Sequence, residues 1–194
     1  MNLASAPGTL AIVNYCNLFT SAVMTIYSGT QPATSETALS GNTALALYTF
    51  SVAAFSGVPT VSGGFDYLAA SFVSANASPA ATGTATFARV VFATPAARAN
   101  TTAYTRGALI TASSNLWVCT ASGTTSGTST LTGTTYGTLD GTAVFDYVGL
   151  ASTTTNLCDL TVGTTATDII LGTTSITVGT TVTISSFHLQ VAVL

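Results

Sequence analysis

The stretch IILGTTSITVGTTVTISSFHLQV, residues 169–191, decides the fold. It carries no Asp, Glu, Lys or Arg and is dominated by β-branched residues. Ile176 and Val178 alternate with polar neighbours, and so do Val182 and Ile184, which marks two strands with one apolar face each. Gly179-Thr180 between them reads as a tight hairpin turn with Gly first. Then the phase changes. Phe187, Leu189, Val191 and Val193 are apolar, with His188, Gln190 and Ala192 between them. A one-residue slip turns side chains to the other face, and the extra residue near Ser185-Ser186 is what a β-bulge supplies. A strand that changes faces suits two packed layers. The expected fold is therefore all-β, an antiparallel, jelly-roll-like β-sandwich.

Working outward, residues 10–24 (LAIVNYCNLFTSAVM) hold the one helix signal. Ile12, Cys16, Phe19 and Val23 recur at helical spacing, after a Ser5/Pro7 start. Thr25 to Ser28 reads as a strand, and residues 29–34 as a turn. ALALYTF, residues 44–50, reads as a strand with apolar groups on both sides. FDYLAASFVSA and TATFARVVFAT read as further strands. Residues 98–149 differ in character. Short strands (GALIT, LWVCT) alternate with Gly/Ser/Thr loops, above all TASGTTSGTSTLTGTTYGT at residues 120–138, and Tyr104, Trp117, Tyr136, Phe145 and Tyr147 stand at intervals. This predicts a β-sandwich base from residues 1–97 plus 150–194, carrying residues 98–149 as an inserted small β module. About fifty residues is near the lower limit for independent stability.

Charge bounds the function. Only 5% of the 194 residues are charged, none is lysine, and the net charge is -3. Mass scaling gives a folded surface of roughly 8,500 Å², or about 900 Å² per charge. A surface of hydroxyls, amides and apolar atoms costs little to desolvate, which suits a subunit in a permanent assembly. Arg89, Arg98 and Arg106 are too few for a nucleic acid or an anionic membrane, and no apolar run reaches a bilayer-spanning length. The N-terminus lacks a basic region, so no leader is expected and the chain is expected to be made in a cytoplasm and used at full length. The Asn76-Ala-Ser78 and Asn100-Thr-Thr102 sequons read as chance matches.

The residues point away from catalysis. His188 is the one histidine, set in an alternating strand, and Ser185 and Ser186 beside it lack a GxSxG context. Asp140 belongs to an Asp-Gly turn and Asp146 to a strand, which outweighs reading them as a glycosidase pair. Asp66, Asp159 and Asp168 stand alone, so no calcium cluster is expected. Cys16, Cys119 and Cys158 lack CxxC spacing and read as buried free thiols. No catalytic residue, cofactor or metal is expected. Tyr104, Trp117 and Tyr147 could stack on a sugar ring, but in so small a module they read more readily as core.

Two stretches carry a family resemblance. MTIYSGTQPATSETALSGNTALALYTFS, continued by SPAATGTATFARVV and CDLTVGTTATDIILGTTSITVGTTVTISSFHLQV, resembles a family of small tailed-bacteriophage virion proteins across most of residues 10–97 and 156–194. TTAYTRGALITASSNLWVCTASGTTSGTS followed by DGTAVFDYVG is similar to a second phage module, often appended to tail, fibre and decoration proteins. The resemblance implies a structural virion protein, first of all a capsid decoration or cement protein. Its partners would be the major capsid protein and further copies of itself, as a homo-oligomer. It would be assembled in the bacterial host cytoplasm and sit on the capsid surface. The alternative it implies is a tail or fibre accessory protein whose module binds host glycan.

Overall fold

The structure is a computed structural model that describes residues 2–3, 15–55, 60–62, 65–153 and 155–193. Its principal strands are β1 (Val23–Ser28), β2 (Thr43–Phe55), β3 (Phe65–Phe72), β4 (Phe87–Val91), β5 (Leu109–Ala112) and β6 (Asn115–Ala121), followed by β7 (Thr138–Asp140), β8 (Ala143–Leu150), β9 (Asn156–Gly163), β10 (Ile169–Leu171) and β11 (Val182–Val193). The fold is all-β.

Seven strands pair in a circle: β11 with β10, then β9, β4, β1, β2 and β3, and β3 again with β11. All of these pairs are antiparallel except β9 with β10. The long β11 makes the closure. Its first half pairs with β10, and residues His188 to Ala192 pair with Ala69 to Phe65 of β3. Hydrogen bonding thus runs through one curled sheet rather than two separate layers. Inside it, Met24, Ile26, Tyr48, Phe50, Ala88, Val90, Val162, Ile169, Leu171, Ile184 and Phe187 belong to one buried cluster. Phe19 plugs this core edge-on to Phe50 and Phe55, with ring centroids 5.3 and 5.2 Å apart, in the geometry aromatic quadrupoles favour. The Tyr48 hydroxyl donates to the Val182 carbonyl at 2.9 Å, so its buried polar tip is satisfied.

The bulge near Ser185 is present. Ile170 pairs with Ser186 and Leu171 with Ile184, which leaves Ser185 unpaired. Its effect is the reverse of the expected one. Val182, Ile184 and Phe187 all reach the same core, so the extra residue cancels the phase change and keeps the apolar groups on one face. Gly179 (φ +89°) does make a turn, closed by Thr180 N–H on the Thr177 carbonyl. It is not a hairpin. Ser175–Ile176 pairs with Gly83–Thr84, and Val182 pairs with Ala77.

Residues 10–14 of the expected helix lie outside the described residues. Within them, Asn17–Phe19 forms a 3-10 turn, Ser21 takes φ +53°, and Val23 already belongs to β1. The β-branched Val23, Thr25 and Ile26 and the pairing of β1 on both edges override the helical spacing.

A second sheet is formed by β7, β8, β6, β5 and the short strand Ala96–Ala97, none of which pairs with a strand of the ring. One face buries Ile110, Trp117, Cys119, Leu131, Ala143 and Phe145. The other buries Leu109, Leu116 and Val118, with Leu18, Phe92, Ala93 and Val148 packed against them. The chain enters and leaves this sheet at the same end, two strands apart. Ala97 pairs with Thr111 and Leu150 with Asn115, flanking the Ser113-Ser114 turn.

Candidate interaction surface

Four of the nine charged residues are withdrawn from the surface in two ion pairs. On the outer side of the ring, Arg89 Nε and Nη2 donate to the two Asp159 carboxylate oxygens at 2.7 Å each, a bidentate pair. Its Nη1 also donates to the Thr37 carbonyl at 2.8 Å, and Asn156 Nδ2 donates to the Ser35 carbonyl at 2.6 Å. The loop of residues 29–42 is thereby pinned over the pair, whose side chains are 6% and 5% exposed. In the smaller sheet Arg98 holds Asp140, whose side chain is wholly buried. The Ser126 N–H and hydroxyl donate to Asp140 Oδ1 at 3.0 and 2.7 Å. Burial pushes the Asp140 carboxyl up, but the Arg98 and Ser126 hydrogen bonds outweigh it and hold its pKa below the usual aspartate value. Apart from these four, five charged residues are left to serve 9361 Å² of surface.

What the ring presents instead is apolar. On β1, β2 and β4 the inward positions are Met24, Ile26, Tyr48, Phe50, Ala88 and Val90. The alternate, outward positions are Val23, Thr25, Leu47, Thr49 and Val91. They sit in register: Thr49, Val23 and Val91 form one row, and Leu47, Thr25 and Arg89 the next. Val73 N–H donates to the Thr49 carbonyl and extends the first row. Val73 is 74% exposed, Leu47 57% and Val91 36%. An antiparallel sheet facing water ordinarily turns polar residues outward. Here the outward rows are Leu, Val and Thr, with no charge except Arg89, which lies under its loop.

The three aromatics singled out from the sequence lie in the smaller sheet. Trp117 is fully buried and its Nε1 donates to the Ala112 carbonyl at 3.2 Å, so neither ring face is open to a ligand. Tyr147 is half-buried, edge-on to Trp117 at 5.8 Å. Tyr104 is half-buried, edge-on to Phe145, and its hydroxyl accepts the Ala99 N–H at 2.9 Å. The structure does not bring the three together as a platform. Tyr136 is the aromatic left outside, 75% exposed.

Burial pushes the Cys16 and Cys158 thiols up to about 12 and raises that of Cys119, so all three stay protonated at neutral pH and are poor nucleophiles. Among the described residues, no group of three or more His, Cys, Asp or Glu could hold a metal ion, and no helix is long and apolar enough to cross a membrane. Between β3 and β11, beside the bulge, a cavity of about 310 Å³ is lined by Ser71, Phe72, Ser185 and Phe187 among others. No family model, curated protein or solved structure matches this chain.

Proposed function

We propose that this chain is a non-enzymatic bacteriophage virion structural protein, a capsid decoration or cement protein that binds the major capsid protein lattice and stabilises the head. The supporting observation is the outward face of β2, β1 and β4 with Val73 beside it, an apolar, hydroxyl-bearing surface whose one charged side chain, Arg89, is buried against Asp159. Burying it costs no charge desolvation, and a standard interface needs only about 800 Å² per partner. In this reading the curled sheet acts as a jelly-roll-like sandwich base, and residues 98–149 project from the capsid surface as a module. Neighbouring copies complete a homo-oligomeric shell, in which modest contacts add up through multivalency. The reading gives nucleic acid and membrane no part, and it draws on the sequence motifs for the virion setting.

The test has two arms. Quantitative mass spectrometry of separated heads and tails should find the chain in heads, at a copy number comparable to the major capsid protein. A tail location at a few copies would instead make it a tail or fibre accessory protein. With undecorated capsids, Leu47→Glu combined with Val73→Glu should abolish binding while leaving the melting temperature unchanged, because both side chains are solvent-facing. Undiminished binding of that variant would remove this face from the contact.

A further inference from the structure

We infer that the Tyr136 loop is a binding site for neutral saccharides. The loop is built to hold one ring out into solvent. Gly133 (φ +78°) and Gly137 (φ +66°) take left-handed conformations that turn the chain outward and back. Each foot of the loop is stapled. Buried Asn115 donates from Nδ2 to the Gly133 carbonyl at 2.7 Å, and Gly137 N–H donates to Asp146 Oδ1 at 2.6 Å. Across the tip the Thr135 and Thr138 hydroxyls share a hydrogen bond of 2.9 Å. Tyr136 stands between these staples, 75% exposed, and its ring meets no other aromatic ring among the described residues. A Cβ added at Gly133 or Gly137 would touch nothing within 4 Å, so space is open on both flanks.

The chemistry around the ring selects the ligand class. Thr132, Thr134 and Thr135 are exposed and offer hydroxyls that both donate and accept. No charged residue occurs between Ser126 and Leu139. The one carboxylate at the loop's foot, Asp146, is engaged by Gly137 N–H. A pyranose presents an apolar C–H face ringed by hydroxyls, which matches a tyrosine face ringed by threonines. The negative ring face attracts the slightly positive C–H groups. A protein hot spot would want an apolar collar that excludes water, and here Leu139 is the lone large apolar neighbour in sequence. Preorganisation by the staples lowers the ordering cost of binding. The inference is independent of where in a particle the chain sits.

The full chain is titrated with maltotriose, cellobiose, lactose and N,N′-diacetylchitobiose, with sialyllactose as an acidic control, and read by saturation-transfer and chemical-shift NMR. At least one neutral sugar should bind at millimolar concentration, with shifts centred on Tyr136, and sialyllactose should bind no better than lactose. Tyr136→Ala should weaken binding about tenfold at an unchanged melting temperature, and Tyr136→Phe should retain it. Three outcomes would overturn the inference: no neutral sugar binds; Tyr136→Ala binds as well as the parent; or Tyr136→Ala leaves sugar binding intact but abolishes capsid binding, which would make Tyr136 a protein contact.

Discussion

The ring and the smaller sheet are both all-β and both poor in charge, yet they are held together by different means. Among the described residues, the ring buries a single cluster of nineteen apolar residues centred on the Phe19, Phe50 and Phe187 rings. Its ion pair lies on the outside, under a loop. Among the described residues, the smaller sheet buries six apolar residues on one face and three on the other. It places its ion pair where three segments meet: Arg98 reaches the Ser126 carbonyl and Asp140, while Ser126 bonds back to Asp140. A large core can order its strands by area alone, at about 25 cal/mol per Å². A small one, with loops of Gly, Ser and Thr that bury little, depends on buried hydrogen bonds to fix them.

That contrast can be broken selectively, because Trp117 is the single tryptophan of the chain and lies in the smaller sheet. Its emission reports that sheet, while far-UV circular dichroism reports mainly the ring. Deleting Ser185 should have the largest effect. Without the unpaired residue, Val182 and Ile184 turn out of the core, each forfeiting about 1.5–3 kcal/mol of burial. Cooperative loss of β-signal should vanish or move far down in temperature. A deletion that melts like the parent would mean the bulge does not set the phase.

Asp140→Ala should act on the other side of the comparison. It strands Arg98 and leaves Ser126 without its acceptor, a loss of about 3–5 kcal/mol for a broken buried pair. Trp117 emission should then change well below the ring's transition, and coincident transitions would show that the two sheets unfold as one. Acid should do the same more gently. The folded Asp140 pKa is depressed, so its contribution is fully present above the unfolded aspartate value near 3.9. That contribution is lost as pH falls from there through the folded value. Tryptophan emission should register this before circular dichroism does, and equal acid sensitivity of both signals would count against the assignment.

The same contrast explains what the sequence disclosed. Alternation along residues 44–50 and 176–193 located β2 and β11, and the slip at Ser185 located the bulge, because period and phase are local properties. Where the bulge sends the chain was not local. It depends on β10 and β3, which approach β11 from opposite edges. The Gly179 turn was legible, but its flanking strands pair with distant Gly83–Thr84 and Ala77 rather than with each other. Neither ion pair had a signature, since Arg89 and Asp159 stand 70 residues apart and Arg98 and Asp140 stand 42 apart. Asp140 was readable as a turn residue, and the same residue turned out to anchor three segments. The apolar face did leave a trace: Leu47 falls opposite in phase to Tyr48 and Phe50, the mark of a strand apolar on both sides. Tyr136 was visible as an aromatic amid Gly and Thr, but only the staples at Gly133 and Gly137 distinguish it from the buried Trp117.

Strand-rich proteins commonly guard against fibril-like stacking by setting lysines along exposed sheet edges, and this chain has no lysine to place there. Its composition, rich in Val, Ile and Thr and low in charge, is close to what cross-β assemblies favour. Closure of β3 onto β11 takes over part of the guarding role: each of the seven strands has a neighbour on both sides, so among the described residues the ring has no strand left wholly open along one edge. Topology here does the work of electrostatic gatekeeping, and it makes so uncharged a β-protein compatible with very high local concentration.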